Sequence, residues 1–191
     1  MIQGRRFFLI LCTICLFQSF SLAAQNPAPR DPATHFFNQG WGDFQEELQN
    51  ARAQGKKGIM IFFEMDECPF CHYMKTNVLN QPAVQDYFRK NFLLFSLDIE
   101  GDVEITNLQG KRMREKDFAF RENRVRATPV MVFYDLNGKP VYRYTGRTAG
   151  VKEFMWLGQY VAEGVYRKQS FVRYKKLRRH ENKNQQNKKQ K

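Results

Sequence analysis

Five consecutive apolar residues, Ile59-Met60-Ile61-Phe62-Phe63, end at Glu64 and are followed within four positions by Cys68-Pro69-Phe70-Cys71-His72. A run that is apolar at every position has no polar face to offer solvent. It fits a strand buried on both sides, in the interior of a sheet covered by helices. Pro69 fits the first turn of a helix, where its missing N–H would have had no partner anyway. The segment therefore reads as a buried strand leading into a Cys-x-x-Cys at a helix N-terminus. Unpaired N–H groups and a partial positive charge at such a terminus stabilise a thiolate and lower its pKa. Two intervening residues let the second sulfur attack a mixed disulfide formed by the first. On this reading Cys68 is the exposed nucleophile and Cys71 the shielded resolving thiol.

Three other readings compete for the same residues. Structural zinc needs four ligands, and beyond the two cysteines the chain offers only His72, His35 and His180, with no second Cys-x-x-Cys in the body. Cys68-x-x-Cys71-His72 also matches the attachment pattern of c-type haem, with Met74, Met65 or Met113 as a distal ligand. The strand-like residues before Cys68 weigh against that reading. Two unrelated core cysteines are the plainest alternative, since free Cys is commonly buried.

The ends of the chain differ from its middle. Arg5 and Arg6 precede a largely apolar stretch from Phe7 to Phe20, and Ser21-Leu22-Ala23-Ala24 supplies the small residues of a cleavage site after Ala23 or Ala24. Residues 1–24 read as a secretory signal peptide, with an uncleaved anchor as the alternative; the stretch is shorter than the ~20 residues a spanning helix needs. Cys12 and Cys15 would leave with it. An exported chain left with one close cysteine pair is not a disulfide-stapled scaffold, so the pair is expected to switch between dithiol and disulfide. From Arg167 to Lys191 there are eleven Lys/Arg against one acid, whereas Ala24 to Tyr166 balances eighteen basic against eighteen acidic residues. The high isoelectric point thus belongs to a tail. Residues 167–191 are expected to be basic and largely disordered, because the last eleven hold only Glu, Asn, Lys and Gln. The tail is either a solvated solubilising segment or a contact for an anionic membrane or an acidic protein. A neutral body argues against nucleic acid.

Between the ends, residues 25–35 are rich in proline and read as a linker, and residues 36–166 suit one domain with one apolar core. Helical spacing covers Phe36 to Ala53, and a second helix runs from Pro69 to about Asn80. Pro82 to Lys90 is a third, and Val151 to Arg167 a last helix. Strands are expected at Ile59–Phe63, Phe92–Asp98, Val130–Tyr134 and Val141–Tyr144, the last two joined by a hairpin at Leu136-Asn137-Gly138-Lys139. Between residues 99 and 126, Val103, Ile105 and Gly110 fit a small surface hairpin, and Glu115 to Arg124 a helix. The fold class is α/β, a small mixed sheet flanked by helices.

Thr128-Pro129 stands immediately before the strand Val130–Tyr134. Proline alone fits a trans residue opening a strand. With a Cys-x-x-Cys after a matching strand upstream, a cis bond is expected instead, turning Thr128 toward Cys68 and freeing its backbone for an extended substrate. Phe62-Phe63 before Cys68-Pro69-Phe70-Cys71, with Ala127-Thr128-Pro129-Val130, the following hairpin and Gly146, resembles the thioredoxin superfamily over Phe36 to Gly164. Within it the chain is similar to exported thioredoxin-related proteins of the SoxW type.

The resemblance implies a thioredoxin fold with a short insertion before the cis-proline loop. It implies Cys68 as nucleophile, Cys71 as resolving thiol, a cis Pro129, and substrate contacts from Thr128, Pro129, Pro69 and Phe70. It implies no metal and no cofactor. The expected protein is a monomeric periplasmic thiol–disulfide oxidoreductase. It would reduce disulfides in exported proteins and be re-reduced by a membrane-embedded thiol carrier. An oxidase, an isomerase and a non-catalytic binding module are the alternatives. Cytosolic thioredoxin has a buried Asp six positions before the nucleophile, where this chain has Phe62. Glu64 is the candidate to move the proton in its place, with Asp66 and Glu67 nearby, and His72 is a candidate for tuning the thiolate. Pro69-Phe70 resembles a glutaredoxin dipeptide, which implies a potential above thioredoxin's.

Overall fold

The computed structural model describes residues 27–40 and 42–189; the signal segment read over residues 1–24 lies outside them. Among the described residues the strands are β1 (Gly58–Glu64), β2 (Phe92–Asp98), β3 (Glu104–Thr106), β4 (Arg112–Arg114), β5 (Val130–Tyr134) and β6 (Pro140–Thr145). Four of them form one mixed sheet in the order β2-β1-β5-β6, with β1 parallel to β2 and antiparallel to β5. Strand β1 is interior, as its unbroken apolar sequence requires. Side chains alternate across a strand, so Met60 and Phe62 enter one core cluster while Ile59, Ile61 and Phe63 enter the other.

Helices cover both faces. On the Phe62 face lie α3 (Pro69–Met74), which runs on as a π-helical turn over Lys75–Leu79, then α4 (Pro82–Asn91) and α6 (Val151–Ala162). Phe88 of α4 stacks on Phe154 of α6 at 4.2 Å between ring centroids. On the opposite face, α2 (Phe44–Ala53) packs Phe44, Leu48 and Ala51. The 99–126 insertion seats there too. Its β3–β4 hairpin and short α5 (Glu115–Asp117) place Ile105, Leu108 and Phe118 in the same cluster, with Phe118 6.1 Å from Phe63. At the hairpin end of β5, Asp135 Oδ1 accepts the N–H groups of Asn137 and Lys139, and Gly138 takes φ 72°, closing the turn into β6.

The structure differs from the sequence expectation at both ends of the domain. Phe36 to Ala53 is not one helix. Asp31 caps α1 (Pro32–His35) and Asp43 caps α2, each accepting a first-turn N–H. Between them Phe36 and Phe37 turn into the core, and Asn38 bonds the free edge of β2, donating N–H to Leu94 O at 2.7 Å and accepting from Leu94 N at 2.9 Å. The expected linker 25–35 is docked over its described part, since Arg30 pairs with Asp86 at 3.0 Å and its carbonyl accepts from Gln85. Helix α6 stops at Ala162, where Gly164 adopts a left-handed conformation, and Val165–Arg167 is a 3-10 turn.

The largest correction concerns the tail expected to be disordered. Phe171–Lys189 is helix α7. Its first turns are anchored by Phe171 and Tyr174, whose rings lie 5.2 Å and 5.4 Å from that of Tyr160 on α6. Tyr160 OH donates to Gln169 O at 2.7 Å, and Lys175 meets Glu153 at 2.6 Å. Two aromatic residues three apart give the segment an apolar side that the composition of its last eleven residues hides.

Candidate functional site

Strand β1 and β5 are antiparallel with Phe63 opposite Val130, and β5 is paired with Thr145 of β6 at the same level. The residues following β1, preceding β5 and following β6 therefore meet at one end of the sheet. Those residues are the Cys68 segment, Thr128-Pro129 and Gly146-Arg147-Thr148.

Cys68 is the N-cap of α3, in extended conformation, with Pro69 at the first helical position. Its Sγ accepts the N–H of Cys71 at 3.1 Å, and its carbonyl accepts from His72 N at 3.0 Å. The sulfur thus occupies the place of a capping oxygen, facing donors that α3 cannot satisfy internally. Cys68 and Cys71 are joined as a disulfide. Cys68 is 7% exposed and Cys71 2%, so the expected exposed nucleophile is nearly covered, though it remains the more accessible of the two. Among the described residues no group of three or more His, Cys, Asp or Glu is arranged to hold a metal ion.

A cleft of about 200 Å³ runs past the pair, lined by Glu64, Asp66, His72, Lys75 and Asp98 as well as both cysteines. Glu64 shares the strand face of Phe62, the buried residue that stands where a proton-accepting Asp was absent. Its carboxylate is held at 2.6 Å by Lys75, one helical turn beyond Cys71, and accepts the hydroxyl of Ser96 on β2. Asp66, Glu67 and His72 are exposed. Beyond Glu64, His72 and Lys75 a larger groove of about 990 Å³ opens toward β2 and the insertion, reaching Ile105 and Glu115. Burial, with the charge of Asp98 second, pushes the Glu115 carboxyl up.

The Thr128–Pro129 peptide bond is cis. Pro129 is buried, Thr128 is half-buried, and Pro129 O accepts from Gly146 N at 2.8 Å. Phe70, between the cysteines, is 53% exposed. The guanidinium of Arg147 lies 5.7 Å from its ring and 4.7 Å from that of Tyr73, an arrangement of cation–π contacts. Thr148 behind it is buried and donates to Gly150 O at 3.1 Å. The sequence reading missed Lys75 and Arg147. Lys75 carried a legible signal, since it falls four residues after Cys71 on a helix and so shares its face. Arg147 carried none, because its partner lies across the sheet.

The model of the thioredoxin-like domain family matches residues 44–162. Anterior gradient protein 3 of Mus musculus is 27% identical over 97 residues, covering 47% of this chain and 57% of that protein. The chain thus spans little more than half the length of the curated relative it matches. A thioredoxin-fold protein from Helicobacter pylori superposes with a TM-score of 0.55 at 19% identity, covering 66% of this chain and 86% of the other. A DsbH oxidoreductase superposes at 0.52, also with 19% identity, covering 74% and 95%. These structures share the fold. A disulfide-forming cysteine pair at the N-terminus of a helix adds a redox-capable site to it.

Proposed function

Because the chain belongs to the thioredoxin-like domain family, we propose that it is an exported thiol–disulfide oxidoreductase of the SoxW-type branch, acting in the periplasm to reduce disulfides in other exported proteins. One observation carries the reading. Cys68 Sγ is the capping group of α3 and accepts the Cys71 N–H at 3.1 Å, which favours the thiolate over the thiol once the pair is reduced.

The reaction has two exchanges. The Cys68 thiolate attacks one sulfur of a substrate disulfide. A Cys68–substrate disulfide forms, and the other substrate sulfur leaves as a thiolate that takes a proton. Cys71 then loses its proton and attacks Cys68 Sγ, closing the Cys68–Cys71 disulfide and releasing the second substrate thiolate. The substrate gains two electrons and two protons, one released by Cys71 and one from solvent; the enzyme loses two electrons and the Cys71 proton and recovers them from a membrane-embedded thiol carrier. The Glu64–Lys75 pair receives the Cys71 proton. Thr128 and Pro129 hold the extended substrate backbone, and Phe70 under Arg147 is the apolar surface against which the substrate settles. Among the described residues no helix is long and apolar enough to cross a membrane.

The equilibrium potential of the Cys68–Cys71 couple against glutathione tests the direction. A value near the ~−270 mV of thioredoxin supports the reductase; a value near ~−120 mV means the pair donates disulfides. Cys71→Ser should trap mixed disulfides with periplasmic proteins. Capture of none would overturn the exchange mechanism, as would full function in Cys68→Ser.

A further inference from the structure

Helix α7 divides its cations between two tasks. Lys175 pairs with Glu153 at 2.6 Å, and Arg178 donates to Gln159 Oε1 at 3.0 Å and reaches Glu181 at 3.4 Å. These two hold the helix to the body. Lys176, Arg179 and Lys183, three and four residues apart, stand one above another on a single face of the helix. With His180 and with Lys152 of α6 they line a cleft of about 320 Å³. The other lining residues are amides, and no carboxylate borders it. Among the described residues, Lys152, Lys176, Arg179 and Lys183 form no salt bridge. Like charges three and four apart on a helix repel, a cost that the Glu153 carboxylate near Arg179 offsets in part and that an anionic partner would remove.

Val172 continues the same row one turn earlier and is 73% exposed. A helix face with an exposed aliphatic side chain at one end and cations along the rest has the chemistry of one resting on a phospholipid surface. We propose that the α6–α7 cleft docks the protein on an anionic bilayer, with headgroup phosphates seated among Lys152, Lys176, Arg179 and Lys183. A bilayer fits better than an acidic protein for two reasons. The patch presents the exposed aliphatic Val172 in line with its charges, and the apolar Phe7–Phe20 stretch, read as a secretory signal, would bring the chain to a membrane. Helix α6 starts at the end of the sheet that holds the cysteines, because β6 reaches that end at Thr145 opposite Val130. Docking there keeps the redox pair near the membrane surface. The inference does not depend on the direction of thiol exchange.

The test is cosedimentation of the full chain and of the K152Q/K176Q/R179Q/K183Q variant with phosphatidylcholine vesicles, with and without phosphatidylglycerol. Residues 1–24 are common to both proteins, so on each vesicle their contribution cancels in the ratio of wild type to variant. Four cations near an anionic surface, at about 1 kcal/mol each, should make a difference on the order of 10³-fold in partitioning, confined to the anionic vesicles and lost in high salt. V172S should weaken binding while keeping the preference for anionic lipid. Equal partitioning of wild type and the four-charge variant overturns the proposal. So does saturation of the cleft by inorganic phosphate without vesicle binding, or equally tight binding of soluble polyglutamate. The circular dichroism spectrum and the Cys68–Cys71 potential should be unchanged in the variants. Those controls separate failure of the docking surface from misfolding and from failure of the redox reading.

Discussion

Replacing Phe171 by Ala should release α7 from the domain without unfolding the domain. Phe171 is 4% exposed and sits among the rings of Tyr142 at 6.1 Å, Tyr144 at 5.9 Å and Tyr160 at 5.2 Å, with Lys175 Nζ 5.1 Å above it. Deleting a buried phenyl ring costs about 3–5 kcal/mol when the surroundings cannot collapse. Here one wall of the cluster is the helix that would leave, so about 3 kcal/mol is the fitting figure. That is a factor of about 10² in the docking equilibrium. An isolated helix of this length with so few apolar residues is marginal in water, so release and melting coincide. Amide hydrogen exchange over residues 171–178 should therefore accelerate about a hundredfold in Phe171→Ala, while amides of β1 and β2 keep their protection. If those α7 amides already exchange at the free rate in the wild type, the aromatic anchor holds nothing. If β1 and β2 lose protection by the same factor, α7 is part of the cooperative core and the reasoning fails.

Three further outcomes are expected. Burial alone would raise the Glu153 carboxyl, but hydrogen bonds from Lys175 and Tyr144 and the charges of Lys175 and Arg179 outweigh it and hold the pKa below the ordinary glutamate value. A depressed folded pKa contributes stability above the unfolded value that is lost as pH falls through the folded one. Protection of α7 should thus weaken below about pH 4, and Glu153→Gln should abolish that pH dependence while lowering protection at neutral pH. Glu64→Gln should lengthen the life of a mixed disulfide by about 10²-fold through loss of the proton acceptor for Cys71; an unchanged lifetime in stopped-flow exchange removes Glu64 from the mechanism. Gly158→Ala should lower the urea midpoint, although alanine is the better helix former by about 1 kcal/mol. Its Cβ would fall 2.7 Å from Phe88 Cζ, and that ring is pinned by its stack on Phe154; overpacking of this kind costs about 1–3 kcal/mol.

The elements legible in the sequence were those whose own residues dictate them. Strands β1, β2 and β5 are apolar on both faces and could not have been placed on a surface. The β5–β6 hairpin follows from Asn137-Gly138. What misled was spacing without caps. Phe36, Phe37 and Phe44 fit a helical period, yet Asp31 and Asp43 each start a separate helix, and Gly40 and Gly42 lie between. Gly42 takes φ 79°, a left-handed value that a continuing helix does not allow. The tail failed for the opposite reason. A window set on Glu181–Lys191 sees only polar residues, while the helix is nucleated ten residues earlier by Phe171 and Tyr174, whose partners Tyr142 and Tyr160 belong to other elements.

The same distinction governs the site. Cys68, Cys71 and Pro69 act through a helix N-terminus built from their own neighbours, so their roles could be read locally. Glu64 could be named but not its partners, because Lys75 reaches it from the π-helical turn that follows α3 and Ser96 from the adjacent strand β2. Register decides such pairings. Ser96 stands opposite Phe62 in the parallel pair of β1 and β2, two places before the level of Glu64, and a shift by one residue would put a different side chain against the carboxylate. Arg147 is the extreme case. It covers Phe70 because β6 ends level with the start of β5, so two loops far apart in sequence close over one another. Shortening β6 by a residue would move that guanidinium away from the cysteines without touching any residue of the Cys-x-x-Cys motif. The surface presented to a substrate therefore depends on the sheet's register as much as on the motif itself.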